Sequence, residues 1–273
     1  MASMTRRHIY GVDFSGAKNA GQAMWIAGGV IEDGALRIEG CMATAALAHL
    51  GVGNDRIYAA LVDIIAMKQD GIFGLDFPFS LPKELIADSS WEDFVRDFPR
   101  RYPSPEAFRE GCRAAAGGKE LKRATDRAAK TPFSAYNIRL YRQAYYGIGH
   151  VLRPLLIAGR AAVLPFQPAA RELPWVIEIC PASTLKAEGL YAPYKGRQPE
   201  RRDDRLGILR ELTSRYLSRP LPAAAEQAVQ ENFGGDALDS VVAAIAAHRA
   251  LTTTTASTGP ANEVEALEGR VYV

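Results

Sequence analysis

The chain has 273 residues, of which 48% are hydrophobic and 23% charged, and a formal net charge of +2. This length and composition are typical of a soluble protein with one large core. A net charge this small excludes binding to nucleic acid through overall charge alone. Any basic surface must therefore be local. The start lacks the apolar segment of a secretory signal, and no stretch approaches the roughly 18 apolar residues of a membrane span. We therefore expect a cytoplasmic protein without membrane contact.

The spacing of the cysteines further narrows the class of protein to which the chain can belong. Cys41, Cys112 and Cys180 lie far apart and form no CxxC pair. This spacing argues against a structural zinc site and against a disulfide framework.

The first third of the chain predicts three strands, a helix and a fourth strand. "IYGVDF" predicts the first strand, and "QAMWIAGGVIEDGALRIEGCMAT" predicts two more, joined at Asp33-Gly34, a dipeptide typical of hairpins. "NDRIYAALVDIIAMKQ" has apolar residues at helical spacing. "GIFGLDFPFSLP" predicts a short strand that ends near Asp76, because the prolines after it stop any continuation.

The rest of the chain predicts a helical insertion and a return to the sheet. Residues 83–160 combine polar helical runs with several prolines and glycines. "WVIEIC" then predicts a fifth strand, "DRLGILRELTSRYL" and "GGDALDSVVAAIAAHRAL" predict helices, and "GRVYV" predicts a short last strand.

This chain order predicts one α/β domain over residues 1–273. The β-β-β-α-β-α-β order, with an antiparallel start followed by parallel strands, is that of the ribonuclease H-like fold, a mixed sheet flanked by helices. The helical insertion lies between the predicted fourth and fifth strands.

Acidic residues stand at the ends of these apolar runs. Asp13 and Asp76 end the first and fourth strands, Glu178 lies near the end of the fifth, and Asp236 and Asp239 open the late helix. Parallel neighbours place their C-terminal ends at one edge of a sheet, where open α/β sheets bind ligands. Converging carboxylates repel one another unless cations neutralise them, and oxygen ligands suit Mg²⁺ or Mn²⁺. Two such ions, about 4 Å apart, can drive phosphodiester hydrolysis by activating a water and stabilising the leaving oxygen.

Each acid also has a purely structural interpretation. Asp13 precedes Ser15-Gly16 and can cap a turn, and Asp236 can cap the helix that follows "GG". Asp76 can simply terminate its strand, and Glu178 can face solvent. The joint pattern is more specific than any single acid.

Several segments together resemble a known family. "GVDFSGAK", "GLDFPFSLP", "IEICPAS", "YKG", "DALDSVVAAIAAHRA" and "EGRVYV" are similar to the bacterial and archaeal domain-of-unknown-function 429 group of predicted ribonuclease H-like nucleases. The match runs through most of the chain in order and is weakest from Ser89 to Lys130. The resemblance implies a ribonuclease H-like fold and a nuclease activity that is itself inferred from that fold.

The resemblance also implies roles for the acids. By position, the catalytic acids of resolvase-type relatives correspond to Asp13, Asp76, Asp236 and Asp239. Asp13 would bridge two metal ions, Asp76 and Asp239 would each hold one, and Asp236 would be a further ligand or a helix cap. Glu178 belongs to the family's own E-x-x-P motif and would be a ligand or a supporting acid.

Substrate contacts are expected close to these acids. Ser15, Lys18 and Lys195 are candidates to contact a phosphate, although Ser15 can equally close a turn and the lysines can be solvated. Arg96 to Lys130 contain ten Lys/Arg and five Asp/Glu, an excess of +5. Aromatic residues interleave with these charges, and such a pattern is typical of nucleic-acid surfaces. The aromatic residues are Phe98, Tyr102, Phe108 and Phe133. Core aromatics beside a solvated basic face give the same pattern.

Three functions therefore stay open at the level of sequence. The first is a divalent-metal-dependent nuclease, with DNA or RNA as substrate. The second is a phosphotransferase or ATPase of the sugar-kinase and actin-like class, although "DFSG" is a poor phosphate loop. The third is a non-catalytic ribonuclease H-like binding scaffold. The pattern does not indicate an oligomeric state.

Overall fold

A mixed sheet forms the centre of the protein. A computed structural model describes residues 8–17, 20–47, 54–253 and 255–273. Within these ranges seven strands form one sheet. The strands are β1 (His8–Asp13), β2 (Trp25–Glu32), β3 (Ala35–Ala43), β4 (Gly71–Leu75), β5 (Ala162–Leu164), β6 (Trp175–Ile179) and β7 (Val271–Tyr272). Their order across the sheet is β3-β2-β1-β4-β6-β5, and β7 pairs with β6 beyond the end of β5.

Helices cover the sheet. The α-helices of the described ranges are α1 (Ala20–Ala23), α2 (Thr44–Leu47), α3 (Asn54–Met67), α4 (Trp91–Arg101), α5 (Pro105–Ala115), α6 (Ala124–Ala128), α7 (Tyr141–Gly147), α8 (Arg153–Ile157), α9 (Pro181–Ala187), α10 (Pro199–Tyr216), α11 (Ala223–Glu231), α12 (Asp236–Thr252) and α13 (Glu263–Glu268). Short 3₁₀ turns span Lys83–Leu85 and Thr255–Ser257, and a π-helical segment, Ile148–Leu152, joins α7 to α8. In the described ranges none of these helices is both long and apolar enough to cross a membrane.

The antiparallel half of the sheet follows the predicted hairpin. β1 pairs antiparallel with β2, and β2 with β3. Asp33 and Gly34 connect β2 to β3 with φ angles of 52° and 85°. Two positive φ angles in a two-residue turn match the right-handed twist of the flanking strands, which explains the choice of Asp-Gly here.

The parallel half of the sheet creates the edge at which the predicted strand-end acids lie. β1, β4 and β6 lie side by side and parallel, with Val12 opposite Leu75 and Leu75 opposite Glu178. Their C-terminal ends therefore reach the same edge of the sheet, as the sequence predicts. The sequence did not reveal β5, because three residues are too short to show a pattern. "WVIEI" is consequently the sixth strand of the chain rather than the fifth.

Two hydrophobic cores lie on opposite faces of the sheet. On one face, Phe73 and Val176 pack against α3 and the helices of region 83–160. On the other face, Ile72 and Ile177 pack against α12, which is buried along nearly its whole length. α12 approaches β1 so closely that a Cβ at Gly11 would lie 2.1 Å from backbone atoms of the helix. This close approach brings the first turn of α12 to the C-terminal end of β1.

Candidate functional site

Three aspartates from distant parts of the chain meet at the C-terminal edge of the sheet. Asp13 ends β1, Asp76 follows β4, and Asp239 lies in the first turn of α12. Side chains alternate between the two faces of a strand. Asp13 therefore shares the α12 face with Gly11, and Asp76 shares it with Gly74, whose Cβ would lie 2.9 Å from an α12 carbonyl. The sheet and the helix thus direct the three carboxylates into one place.

The carboxylates are close enough to influence one another. Asp13 and Asp76 are within hydrogen-bonding reach, and Asp239 acts electrostatically on both. Burial raises the pKa of Asp13, and the Asp239 and Asp76 carboxylates raise it further. The pKa of Asp76 is raised by burial and by the charge of Asp239. Without a cation, the three carboxyl groups therefore favour bound protons, because burial and like charges both oppose their ionisation.

A loop before α10 supplies two partners for Asp239. The Tyr194 hydroxyl donates a hydrogen bond to Asp239 Oδ1 at 2.5 Å, and Lys195 Nζ lies 2.7 Å from Asp239 Oδ2. Burial raises the pKa of Asp239, but both partners oppose this shift. Burial would lower the pKa of Lys195, yet Asp239 and Asp13 outweigh it and raise the pKa of the ammonium. Lys195, a predicted phosphate contact, is thus a counter-ion of the cluster.

A buried arginine positions this loop. The guanidinium of Arg205 on α10 is fully buried and donates to the carbonyls of Tyr194, Gly196, Val229 and Gln230. Backbone carbonyls replace the carboxylate that such a charge usually requires. Arg205 thereby joins the Tyr194–Lys195 loop to the end of α11. The helical pattern of "DRLGILREL" indicates a buried face but not this role.

A glutamine holds the two strand ends together. Gln143 on α7 donates from Nε2 to the carbonyl of Phe14 at 2.6 Å and to the carbonyl of Asp76 at 2.7 Å. These carbonyls follow β1 and β4 directly. Gln143 therefore links region 83–160 to the chain segments that carry the aspartates, and the sequence contains no local signal for it.

The remaining predicted site residues occupy different positions. Asp236 begins α12 and accepts a hydrogen bond from Asn232 Nδ2 at 3.2 Å. The capping interpretation of Asp236 is wrong, because Gly235 is the cap residue and Asn232 Oδ1 accepts from the Ala237 amide. Ser15 Oγ accepts from the Ala17 amide at 3.2 Å and so closes a turn. Lys18 lies outside the described residues.

Glu178 is directed away from the three aspartates, although its charge still raises the pKa of Asp76. It alternates with Ile177 and Ile179, which face α12, so its side chain points to the opposite face. There it is buried against Arg123, whose Nη1 lies 2.8 Å from Glu178 Oε2 and whose Nη2 contacts Glu178 Oε1. The Phe79 amide also donates to Oε2 at 2.9 Å. The solvent-face interpretation is therefore wrong, and this pairing favours a supporting role over metal binding.

Two cavities open beside the aspartates. The larger has a volume of about 480 Å³ and extends from Asp76 and Asp239 towards Phe133 and Tyr191. The smaller, of about 400 Å³, lies on the other side, over Asp13 and Asp76. Both volumes fall within the range of about 300–1,000 Å³ that is typical of small-ligand sites. A ligand in either cavity reaches carboxylate oxygen.

The comparisons with known proteins concern the family of the chain. A family model described as "Protein of unknown function (DUF429)" matches residues 11–264. The chain belongs to the DUF429 family. No curated protein and no solved structure matches the chain significantly. The range matched by DUF429 includes Asp13, Asp76, Asp239 and Lys195, so the cluster lies within the family region.

Most aromatic residues of the basic region of this DUF429 chain belong to its core. Phe98, Tyr102 and Phe108 are buried, so they cannot stack on a nucleic-acid base. Phe133 is partly exposed at the larger cavity, with the Arg139 guanidinium 5.5 Å from its ring centroid. The aromatic residues of the basic-aromatic pattern therefore belong mainly to the core. Phe133 is the exception, because it lies at the larger cavity.

The donor set of the cluster is suited to a hard divalent cation. Carboxylate oxygens are the ligands that Mg²⁺ and Mn²⁺ prefer, and the three aspartates, once ionised, carry three negative charges against the single positive charge of Lys195. Within the described ranges, however, no three His, Cys, Asp or Glu side chains already have the arrangement of a metal site. The aspartates thus supply suitable ligands that still have to close around an ion.

Proposed function

We propose that this protein is a divalent-metal-dependent nuclease that hydrolyses phosphodiester bonds in nucleic acid. The observation that carries the proposal is the convergence of Asp13, Asp76 and Asp239 at the edge of the parallel strands, beside open cavities. Burying three carboxylates together is costly unless cations enter the site. The metal ions would supply the positive charge that both the carboxylates and a negatively charged phosphodiester require.

The fold assignment belongs to the same proposal. Three antiparallel strands precede a helix and parallel strands, in the order expected for a ribonuclease H-like sheet. In a ribonuclease H-like fold, the acids at the ends of β1 and β4 and on a late helix would correspond by position to the catalytic acids of resolvase-type relatives. The strand order therefore supports the ribonuclease H-like assignment and the nuclease activity together.

Each residue of the cluster has a distinct task in this proposal. Asp13, between Asp76 and Asp239, would hold both ions, its neighbours would each hold one, and Asp236 would be a further ligand. The bound ions would supply an activated water and stabilisation of the leaving oxygen. Tyr194 orients the Asp239 carboxylate, and Lys195 neutralises it until a cation takes over that role.

Basic side chains at the cavities are suited to the substrate. Arg139 lines both cavities, Arg142 lines the smaller one, and both side chains reach solvent. Exposed guanidinium groups bind phosphates in bidentate geometry. They would hold the phosphates on either side of the bond that is cleaved, while the aspartates act on the bond itself.

One contact favours a second candidate, a non-catalytic binding scaffold. The Lys195–Asp239 ion pair neutralises part of the cluster without any metal. A protein that binds Mn²⁺ but cleaves none of a broad panel of nucleic acids would support this candidate.

The test is cleavage of DNA and RNA substrates by the purified protein with Mg²⁺ or Mn²⁺. We expect Asp13→Asn and Asp76→Asn each to reduce cleavage by about 100-fold or more, the scale on which a single catalytic electrostatic contact acts. Asp63→Asn is the matched control, because Asp63 is an exposed acid on α3 that pairs with Arg160. Cleavage that survives Asp13→Asn, or that needs no divalent ion, would contradict the proposal.

A further inference from the structure

The two cavities share part of their lining beside the aspartates. Four residues line both of them: Asp76, Arg139, Gln143 and Lys195. Two of these carry positive charge and one is a proposed metal ligand. A chain-like ligand that occupies both cavities therefore passes over Asp76, between Arg139 and Lys195.

The walls of the larger cavity differ from those of the smaller one. We name the larger cavity the base pocket. Its outer walls include the rings of Phe133, Tyr191, Pro132 and Pro193. Flat apolar rings next to carboxylates are suited to a planar ligand group that is attached to a phosphate. The exposed basic side chains therefore lie where a backbone runs, and the flat walls lie where a base can stack.

Cations accompany the aromatic walls of the base pocket. The Arg139 guanidinium lies 5.5 Å from the centroid of the Phe133 ring, and Lys186 Nζ lies 5.2 Å from that of Tyr191. Tyr191 is 55% exposed. An aromatic ring with a cation beside it can bind a base and its phosphate at the same time.

We propose that the substrate is single-stranded nucleic acid, with one base in the base pocket and the adjoining nucleotides in the smaller cavity. This inference rests on the proposed function and narrows its substrate class. A paired base cannot enter a recess of this kind without breaking its pair and leaving its stack, and the cost of unpairing is absent in a single strand. The phosphate between the two nucleotides then lies over Asp76.

The experiment is a binding titration, separate from cleavage. The whole protein is titrated, with divalent ions chelated, against an end-labelled oligothymidylate, an oligouridylate and a duplex of the same length. We expect either single strand to bind at least about tenfold more tightly than the duplex. The difference in affinity between the oligothymidylate and the oligouridylate distinguishes DNA from RNA. Phe133→Ala should weaken single-strand binding by about 5- to 150-fold, the range for one base–aromatic stack.

A matched control is available in the same chain. Phe233 is 48% exposed, and the Arg197 guanidinium lies 5.5 Å from its ring centroid, as Arg139 does from Phe133. Phe233→Ala should leave binding unchanged, because Phe233 lines neither cavity. Arg139 is exposed, so Arg139→Gln leaves the core intact. This substitution should weaken binding and lower the slope of log affinity against log salt concentration by about 0.7 per lost phosphate contact.

The outcomes separate this inference from the proposed function. Equal or tighter binding of the duplex, no binding of either single strand, or wild-type binding by a folded Phe133→Ala would each overturn the inference. A protein that cleaves duplexes only would also overturn it, while the nuclease proposal stands. Single-strand binding that depends on Phe133, without cleavage of any substrate, supports the inference and contradicts the nuclease proposal.

Discussion

The Lys195 ammonium lies 2.7 Å from Asp239 Oδ2, so the α12 acid that faces the two strand-end aspartates already has a counter-ion. The Lys195 side chain is 55% exposed, although its charged end reaches a buried carboxylate. Because the side chain is this accessible, it can leave Asp239 without unfolding its surroundings. Lys195 therefore competes with any metal ion for Asp239.

Removing the Lys195 charge should separate metal binding from catalysis. We expect Lys195→Gln to bind Mn²⁺ roughly two- to tenfold more tightly, because the ammonium of this half-exposed side chain no longer competes for the Asp239 carboxylate. Cleavage should become slower, because a phosphate contact is lost. Calorimetric titration and a cleavage assay measure the two effects. Lys68→Gln, at an exposed position next to the end of α3, should change neither. An unchanged Mn²⁺ affinity in Lys195→Gln would show that the ammonium does not compete.

Glu178 should behave as a stabilising residue rather than as a metal ligand. Arg123 is buried between Glu178 and Asp126, and neutralising one acid weakens the support of a buried guanidinium. We expect Glu178→Gln to lower the free energy of unfolding by about 2–3 kcal/mol while the Mn²⁺ affinity stays unchanged. Urea unfolding and calorimetry measure these quantities. Glu110→Gln, an exposed acid on α5, is the control. A large loss of Mn²⁺ affinity in a stably folded Glu178→Gln would restore the predicted ligand role.

The contact between β1 and α12 should tolerate no side chain at Gly11. A Cβ there would lie 2.1 Å from Ala244 N and from Ser240 O, and backbone atoms of a buried helix cannot move aside individually. We expect Gly11→Ala to destabilise the protein by about 3 kcal/mol or more, as judged by thermal unfolding. At Gly40 on β3 the nearest atom to an added Cβ is the flexible end of Met42, at 3.8 Å. Gly40→Ala should therefore be nearly neutral, and equal effects of the two substitutions would contradict this packing.

The three thiols should be unreactive in the native protein. Burial raises the pKa of Cys41 to about 11 and those of Cys112 and Cys180 to about 12. Because the thiolate is the reactive form, only about a thousandth of Cys41 is reactive at pH 8, and less of the other two. The reaction rate with a thiol reagent should rise with pH and remain far below that of the unfolded chain. Rapid reaction of any thiol in the folded protein at pH 8 would contradict these shifts.

Local patterns in the sequence are sufficient to predict most of the elements and the residue types at their ends. Apolar runs, the Asp33-Gly34 turn and helical spacing are local signals, so they predict β1 to β4, β6 and α12 without knowledge of the fold. Asp13 and Asp76 at strand ends follow from the same signals. The alternation of Glu178 with two isoleucines also indicates that its side chain faces away from theirs. The sequence does not show whether solvent or a buried arginine lies on that face.

Only the tertiary structure decided which of these residues meet. Arg123 and Glu178 are 55 positions apart, Gln143 and Asp76 are 67 apart, and Tyr194 and Asp239 are 45 apart. Such pairs depend on the packing of whole helices against the sheet, for which a local pattern contains no information. Packing placed Asp239 beside Asp13 and directed Glu178 to the opposite face. The close contact at Gly11 brings Asp239 to Asp13, and the pairing of β1 with β4 brings Asp76 beside them, so three distant aspartates form one site.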